Sequence, residues 1–551
     1  MHGYQRAWLT GDVLAGLTVW AVLVPEALAY ASIAGVSPVV GLYAAPAALV
    51  LYALLGSSRR LIVGPMSATA ALSAAAVAGL AGNRPDEFAA LTAALALMVG
   101  VLALVAGLFR LGFLANFISE PVLKGFIIGL ALTIIVGQLP KLFGVEKGDG
   151  NFFRQVWALL GNLGDTQWRT LLVGLVSLAI VLGLRRIAPV VPAALVAVLA
   201  GVVLVKLFDL DHHGVAIVGP IPSGLPSFGL PDGISFHDFL ATGGPALGIM
   251  LVGFAEGLGA AKTYATHDHD RIDSNRELLG LGAANLGSGL SSGMVVNGSL
   301  SKTAVNVAAG ARTQLPSLFV AGLTVLTLLF LTGLFEDVPE ATLAAIVIAA
   351  LIGLIDFGAL TDLYRLYTQR LGRIYGHAAR ADFIAAFAAM FGVLVFDTLP
   401  GLFIGIAVSL LLLIYRASKP YIAELGRVPG GDGQFADRDR HPENTPVPGV
   451  VVVRVESGLF FANAEAVKAA LNAEAARPGT KALVVDAGAM AFIDVTAIRM
   501  LDELAESLAD TGVTLALAQG VGQVRDLLRV GDAKGVRMYR TLGEAVADLA
   551  P

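Results

Sequence analysis

Glu26 stands in Leu23-Val-Pro-Glu-Ala-Leu-Ala-Tyr30, beside Pro25 and in the middle of an apolar run. An ionised carboxylate at that depth is costly, so it must face a cavity or a partner, and a carboxyl that can exchange its charge for a proton is a candidate proton-coupling group. The competing reading is a neutral, hydrogen-bonded glutamic acid at a helix break. Glu256, in Gly253-Phe-Ala-Glu-Gly-Leu-Gly-Ala-Ala-Lys262, is a second such carboxylate, read either as a coupling group or as a packing and counter-ion residue. Lys262 lies six positions on, does not share its helix face and is not its expected partner. Lys302 belongs to Asn297-Gly-Ser-Leu-Ser-Lys-Thr303, a polar run that opens a weakly apolar helix. Free N–H groups at a helix start, hydroxyls and an ammonium together suit an anion; the alternative is serine capping with a snorkelling lysine. Gly64-Pro-Met-Ser-Ala-Thr69 offers similar ingredients. Two such half-helix starts face each other at mid-membrane when the halves of a transporter are inverted repeats.

Other chemistry is poorly supported. His267-Asp268-His269-Asp270 has metal-ligand composition but no further clustered ligands, and reads as a solvated turn, so no metal site is expected. The chain has no cysteine, which excludes disulfides and thiol catalysis. There is no Gly-x-x-x-x-Gly-Lys-Ser/Thr phosphate loop to support an ATP-driven motor. A net charge of −5 implies no polyanionic partner. No enzyme activity, cofactor or nucleic acid is expected.

The elements that hold these residues must live in lipid. A composition of 56% hydrophobic and 14% charged residues lies outside the soluble globular range, and 64 glycines suit close helix packing in a bilayer. About fourteen apolar runs near the roughly 20-residue bilayer length recur between Val13 and Tyr415. The weakest are Asn275–Ser291 and Met294–Gly310, short and rich in glycine and serine, as expected where irregular backbone lines a cavity. Arg59/Arg60, Arg110, Arg185/Arg186, Arg271/Arg276, Arg312 and the cluster from Arg365 to Arg380 alternate with acidic loops at Asp86/Glu87, Asp209/Asp211, Glu336/Asp337 and Asp397. By the positive-inside rule the basic loops are cytoplasmic, and with an even number of spans so are both termini. Residues 1–420 are expected to form the membrane domain and 421–448, rich in Gly, Pro and Asp, a linker. In 449–551, Val450–Val455, Ala482–Asp486 and Val513–Ala518 read as buried strands, with helices at Ala464–Ala475 and Ala497–Leu508, giving a small cytoplasmic α/β domain.

Ordered motifs then resemble the sulfate permease family, which in animals is solute carrier family twenty-six. They are Asp12-Val-Leu-Ala-Gly-Leu-Thr18, Pro25-Glu-Ala-Leu-Ala-Tyr-Ala31, Pro38-Val-Val-Gly-Leu-Tyr43, Asn275-Arg-Glu-Leu-Leu-Gly-Leu-Gly-Ala-Ala-Asn285, Ser299-Leu-Ser-Lys-Thr-Ala-Val-Asn306, Gly310-Ala-Arg-Thr-Gln314 and Pro339-Glu-Ala-Thr-Leu-Ala-Ala345. The resemblance covers nearly the whole chain. It implies a mostly α membrane protein of two inverted seven-span repeats, a core moving against a gate, a C-terminal STAS domain and a homodimer. In the family the anion lies between the starts of the third and tenth spans, which carries over to Tyr30, Met66, Ser299, Ser301 and Lys302, with Glu26 beside them. Many members have glutamine at the position of Glu26 and arginine at that of Lys302, so this chain favours proton coupling over simple chloride exchange and gives up bidentate recognition of an oxyanion. In the STAS-like part Val495 replaces the serine phosphorylated in soluble relatives.

The function expected is secondary transport of a small inorganic or organic anion across the cell (inner) membrane, with sulfate, bicarbonate, chloride and dicarboxylates all open, by proton symport through Glu26. An exchanger, a channel or a sodium symporter on the same fold remains an alternative. A receptor or scaffold built around the STAS-like domain, and a carrier of nucleobases, are further competitors.

Overall fold

A bilayer core offers no water to backbone N–H and C=O groups, so long apolar runs must satisfy themselves and fold as helices. The computed structural model describes residues 8–550 apart from 83, 85–86, 114–118, 189–190, 266–270, 357, 359–360, 363–371, 397, 432 and 531–534. The chain divides into two compact units, 1–409 and 410–551. Among the described residues, eight helices are long and apolar enough to cross a membrane, and four shorter helices are also apolar. The run His267–Asp270 lies outside the described residues.

In chain order the elements are α1 (Leu9–Ala34), α2 (Pro38–Leu55), β1 (Ile62–Gly64), α3 (Ser67–Ala81), α4 (Phe88–Leu108), α5 (Glu120–Phe143), α6 (Phe152–Asn162), α7 (Trp168–Ile187), α8 (Ala193–Phe208), α9 (Phe236–Ala241), α10 (Gly243–Ala265), α11 (Ser274–Leu290), β2 (Asn297–Ser299), α12 (Leu300–Ala308), α13 (Leu315–Leu326), α14 (Glu340–Ile352), α15 (Gly372–Phe396) and α16 (Thr398–Ser418). The two weakest expected spans form short or broken helices, though α3, α8 and α14 are short as well. α11 has 17 residues. Of 294–310 only Leu300–Ala308 is α-helical, because Asn297–Ser299 is extended and pairs antiparallel with β1.

Two groups of helices make up the first unit. In one, α11 packs against α4 and α2, and α1 against α2, α3, α12 and α13. Small residues permit the close approach of α4 and α11: a Cβ on Gly100 would stand 2.7 Å from the Leu286 nitrogen, and one on Gly282 2.8 Å from the Leu104 nitrogen. In the other group α5 packs against α15, α14 and α7, and α7 against α8 and α14. The Ser177 and Thr342 hydroxyls join α7 to α14 at 2.9 Å. α1 also touches α8 and α14, so it borders both groups.

The second unit adds β3 (Ile422–Arg427), β4 (Phe435–Asp437), β5 (Val450–Val455), α17 (Ala464–Ala475), β6 (Ala482–Asp486), α18 (Val495–Asp510), β7 (Thr514–Ala518), α19 (Gly522–Val530), β8 (Arg537–Tyr539) and α20 (Leu542–Leu549). They form a six-stranded sheet in the order β4-β3-β5-β6-β7-β8, parallel from β5 to β8. Strand alternation sends Val453, Leu483 and Val485 to the face covered by α17 and α18, and Val452, Val484 and Ala516 to the face covered by α20. The stretch 421–448, expected as linker, carries β3 and β4. Its turn-rich composition hid two strands because β3 is an antiparallel addition whose Ile422, Ala423 and Leu425 pair with Val455, Arg454 and Val452.

Candidate functional site

β1 and β2 lie side by side, with Ile62 opposite Ser299 and Gly64 opposite Asn297, and each runs into a short helix. Because the strands are antiparallel, α3 and α12 leave this junction from opposite ends, and both helix starts line one cavity. Ser299 caps α12, its hydroxyl accepting from the Lys302 N–H at 3.2 Å. Met66 precedes α3 in extended conformation and supplies no side-chain cap, leaving the first-turn N–H groups of α3 without one. Cross-links hold the junction in place. The Ile62 N–H donates to the Thr303 hydroxyl at 3.1 Å, and the Gln314 amide donates to the carbonyls of Ser58 and Leu61 at 2.9 Å each.

The structure brings Glu26, Tyr30, Met66, Ser299, Ser301 and Lys302 together around one cavity of about 400 Å³. Inside it, Lys302 Nζ lies 2.8 Å from Glu26 Oε2, with 1% and 3% of the two side chains exposed. The same ammonium donates to the Pro65 carbonyl at 3.0 Å and sits 5.1 Å from the centre of the Tyr30 ring. Glu26 Oε2 receives no hydrogen bond of good geometry despite the short contact. The carboxylate is therefore neutralised but under-satisfied, an arrangement that holds only while the lysine stays. Ser299 and Ser301 hydroxyls lie 3.2 Å apart beside this pair.

Glu256 is not among the residues lining that cavity. It lies on α10, and its Oε2 is buried without a hydrogen-bond partner. Its neighbours on the helix, Gly253 and Gly257, pack against Asn297 of β2, so Glu256 sits on the element that backs the junction. Sequence reasoning missed two things. The Glu26–Lys302 pair joins residues far apart in the chain, with no spacing signal to reveal it. Arg185 reads as a loop charge, yet it lines the cavity from the C-terminal end of α7, with Nη1 donating to the Ala349 carbonyl at 2.8 Å. Tyr264, at the end of α10, lines it as well.

A model of the sulfate permease family matches residues 9–372, two-thirds of the chain, and a STAS-domain model matches 441–545. The chain belongs to the sulfate permease family. Within that family it is 40% identical to the probable sulfate transporter Rv1739c of Mycobacterium tuberculosis, over 96% of this chain and 92% of that one. It is 30% identical to the probable sulfate transporter 3.4 of Arabidopsis thaliana, over 99% of this chain and 86% of that one. The sulfate permease fold extends to the murine anion transporter Slc26a9 in its inward-facing state, at 22% identity, with a TM-score of 0.88 over 99% of this chain and 92% of that one. A mostly helical membrane unit followed by a STAS domain is thus the architecture of this family member.

Proposed function

We propose that this protein is a secondary transporter of small anions that works by alternating access and takes up a proton with each anion through Glu26. The observation that carries this reading is the buried Glu26–Lys302 pair on the wall of the cavity. An anion entering the cavity competes with Glu26 for the ammonium, the two half-helix N-termini and the serine hydroxyls. Once Lys302 turns to the anion, Glu26 is a buried charge without a partner, and an unpaired buried charge costs several kcal/mol. Taking a proton removes that cost. Anion and proton therefore bind together and leave together, which is symport. Among the described residues of the helices packed against α1, only α12 brings a charged group to the cavity, namely Lys302; α7 adds Arg185.

In this reading sulfate comes first among the substrates, supported by the names of the relatives, with bicarbonate, chloride and dicarboxylates in the same class. Glu256, half-buried behind the junction with its Oε2 unpartnered, is a second coupling carboxylate in this reading. The protein works in the cell (inner) membrane with both termini and the STAS domain in the cytoplasm, in keeping with the alternation of basic and acidic loops, and as a homodimer. The helices divide between a core group around α3 and α12 and a gate group around α5, α7 and α14, and α1 lies where they move past each other.

The test is radiolabelled uptake into proteoliposomes for a panel of these anions, with and without an inward proton gradient. Acceleration of uptake by the gradient supports symport. Uptake that needs a trans anion and ignores the gradient would mean an exchanger, and acceleration by a sodium gradient alone would mean sodium coupling.

A further inference from the structure

Among the described residues, the charged side chains that line the cavity are Glu26, Lys302 and Arg185. Glu26 and Lys302 cancel each other while paired. Arg185 has no acidic partner among the described residues. One of its terminal nitrogens donates to the Ala349 carbonyl on α14, which fixes the guanidinium at the end of the cavity bordered by Gly353 and Leu354. Tyr30, on whose ring Lys302 rests, lines the same cavity.

We infer that Arg185 is a second anion-binding cation of the transport cavity, and that together with Lys302 it selects divalent oxyanions over monovalent anions. This rests on the anion-transport reading above. When Glu26 has taken its proton the described residues of the cavity wall carry two positive charges and no negative one. A divalent oxyanion balances that charge, whereas a monovalent anion leaves one cation uncompensated. Coulomb attraction scales with the product of charges, so adding Arg185 stabilises a divalent anion about twice as much as a monovalent one at the same distance. A guanidinium with nitrogens free of protein acceptors also supplies the forked donor geometry that Lys302 lacks. The two cations come from different helix groups, α12 from one and α7 from the other, so an anion that contacts both draws those groups together.

The experiment measures initial uptake of sulfate and of a monovalent anion, bicarbonate, into proteoliposomes under an inward proton gradient, for wild type, Arg185→Lys and Arg185→Gln. Direct binding of radiolabelled sulfate to the purified proteins is measured alongside. In Arg185→Gln the sulfate KM is expected to rise roughly tenfold or more, the size of a lost charge-assisted contact. Bicarbonate uptake should change much less, the remaining sulfate uptake should stay accelerated by the gradient, and Arg185→Lys should keep most of the wild-type preference. Equal losses for both anions in Arg185→Gln, with unchanged sulfate binding, would overturn the inference and leave Arg185 as a tie to α14. A wild type that transports anions without preferring sulfate would overturn it too while sparing the transport reading; a wild type that moves no anion would overturn both.

Discussion

Two buried carboxylates in the first unit make an instructive contrast. Glu277, at the start of α11, is fully enclosed and accepts four hydrogen bonds, from the Tyr52 hydroxyl at 2.8 Å, the Ser57 N–H and hydroxyl at 2.8 and 2.7 Å, and the Ser58 N–H at 3.0 Å. Glu26 is as deeply buried, yet it has one ammonium and an oxygen without a well-aligned donor. Glu277 is saturated by groups from α2 and the chain leading to β1, and it stands in the first turn of a helix, where negative charge is favoured. Its surroundings hold a carboxylate in one state. Those of Glu26 hold it only while Lys302 is present, and Lys302 borders a cavity. In the proposed reading, saturation marks a structural acid, and dependence on one partner that borders the cavity marks a working one.

Lys302→Met should break the contrast most severely. It strands Glu26 and removes the anion's cation at once, and losing one member of a buried pair costs about 3–5 kcal/mol. Uptake per folded molecule should fall by roughly a hundredfold or more. Adding Glu26→Gln to Lys302→Met should restore thermal stability without restoring uptake; recovery of uptake would show that the pair is structural.

Glu277→Ala should show the opposite pattern. Donors from Tyr52, Ser57 and Ser58 lose their acceptor, at about 1–3 kcal/mol for each group left unsatisfied. A clear drop in melting temperature is expected in detergent, while the uptake of the protein that remains folded keeps its proton-gradient dependence. Loss of that dependence in Glu277→Ala would erase the distinction between the two acids.

Smaller effects sharpen the picture. Glu256→Gln should weaken the acceleration by a proton gradient, but less than Glu26→Gln, because Glu256 lies outside the cavity; an equal effect would make the two carboxylates one relay. Tyr30→Phe should transport nearly as wild type, since the ammonium rests on the ring. Tyr30→Ala should raise the anion KM by up to about thirtyfold, in line with a desolvated cation–π contact of up to about 2 kcal/mol.

The contrast also explains what could be read from the chain. Glu26, Glu256 and Lys302 stood out as candidates because a charge in an apolar run is rare, while Val450–Val455 and Ala464–Ala475 were legible because strand and helix periodicities are local. The low hydropathy of 294–310 pointed to a broken span. Tertiary pairings were not legible. Nothing in the spacing brings Lys302 to Glu26, Glu277 to Ser57, or Arg185 to the cavity, since each depends on how helices distant in sequence cross. The strands in 421–448 were hidden for a related reason: their identity comes from the sheet they join, while the Gly, Pro and Asp around them spell turns.

The most direct test of the central claim is the proton movement that accompanies anion uptake, followed with a pH indicator sealed inside proteoliposomes holding wild type or Glu26→Gln. Adding the anion outside, with no gradient imposed, should acidify the lumen of wild-type vesicles in step with labelled anion entry, while Glu26→Gln vesicles should take up or exchange anion without acidification. Acidification of equal extent per anion in both would contradict the account and move the coupling proton away from Glu26.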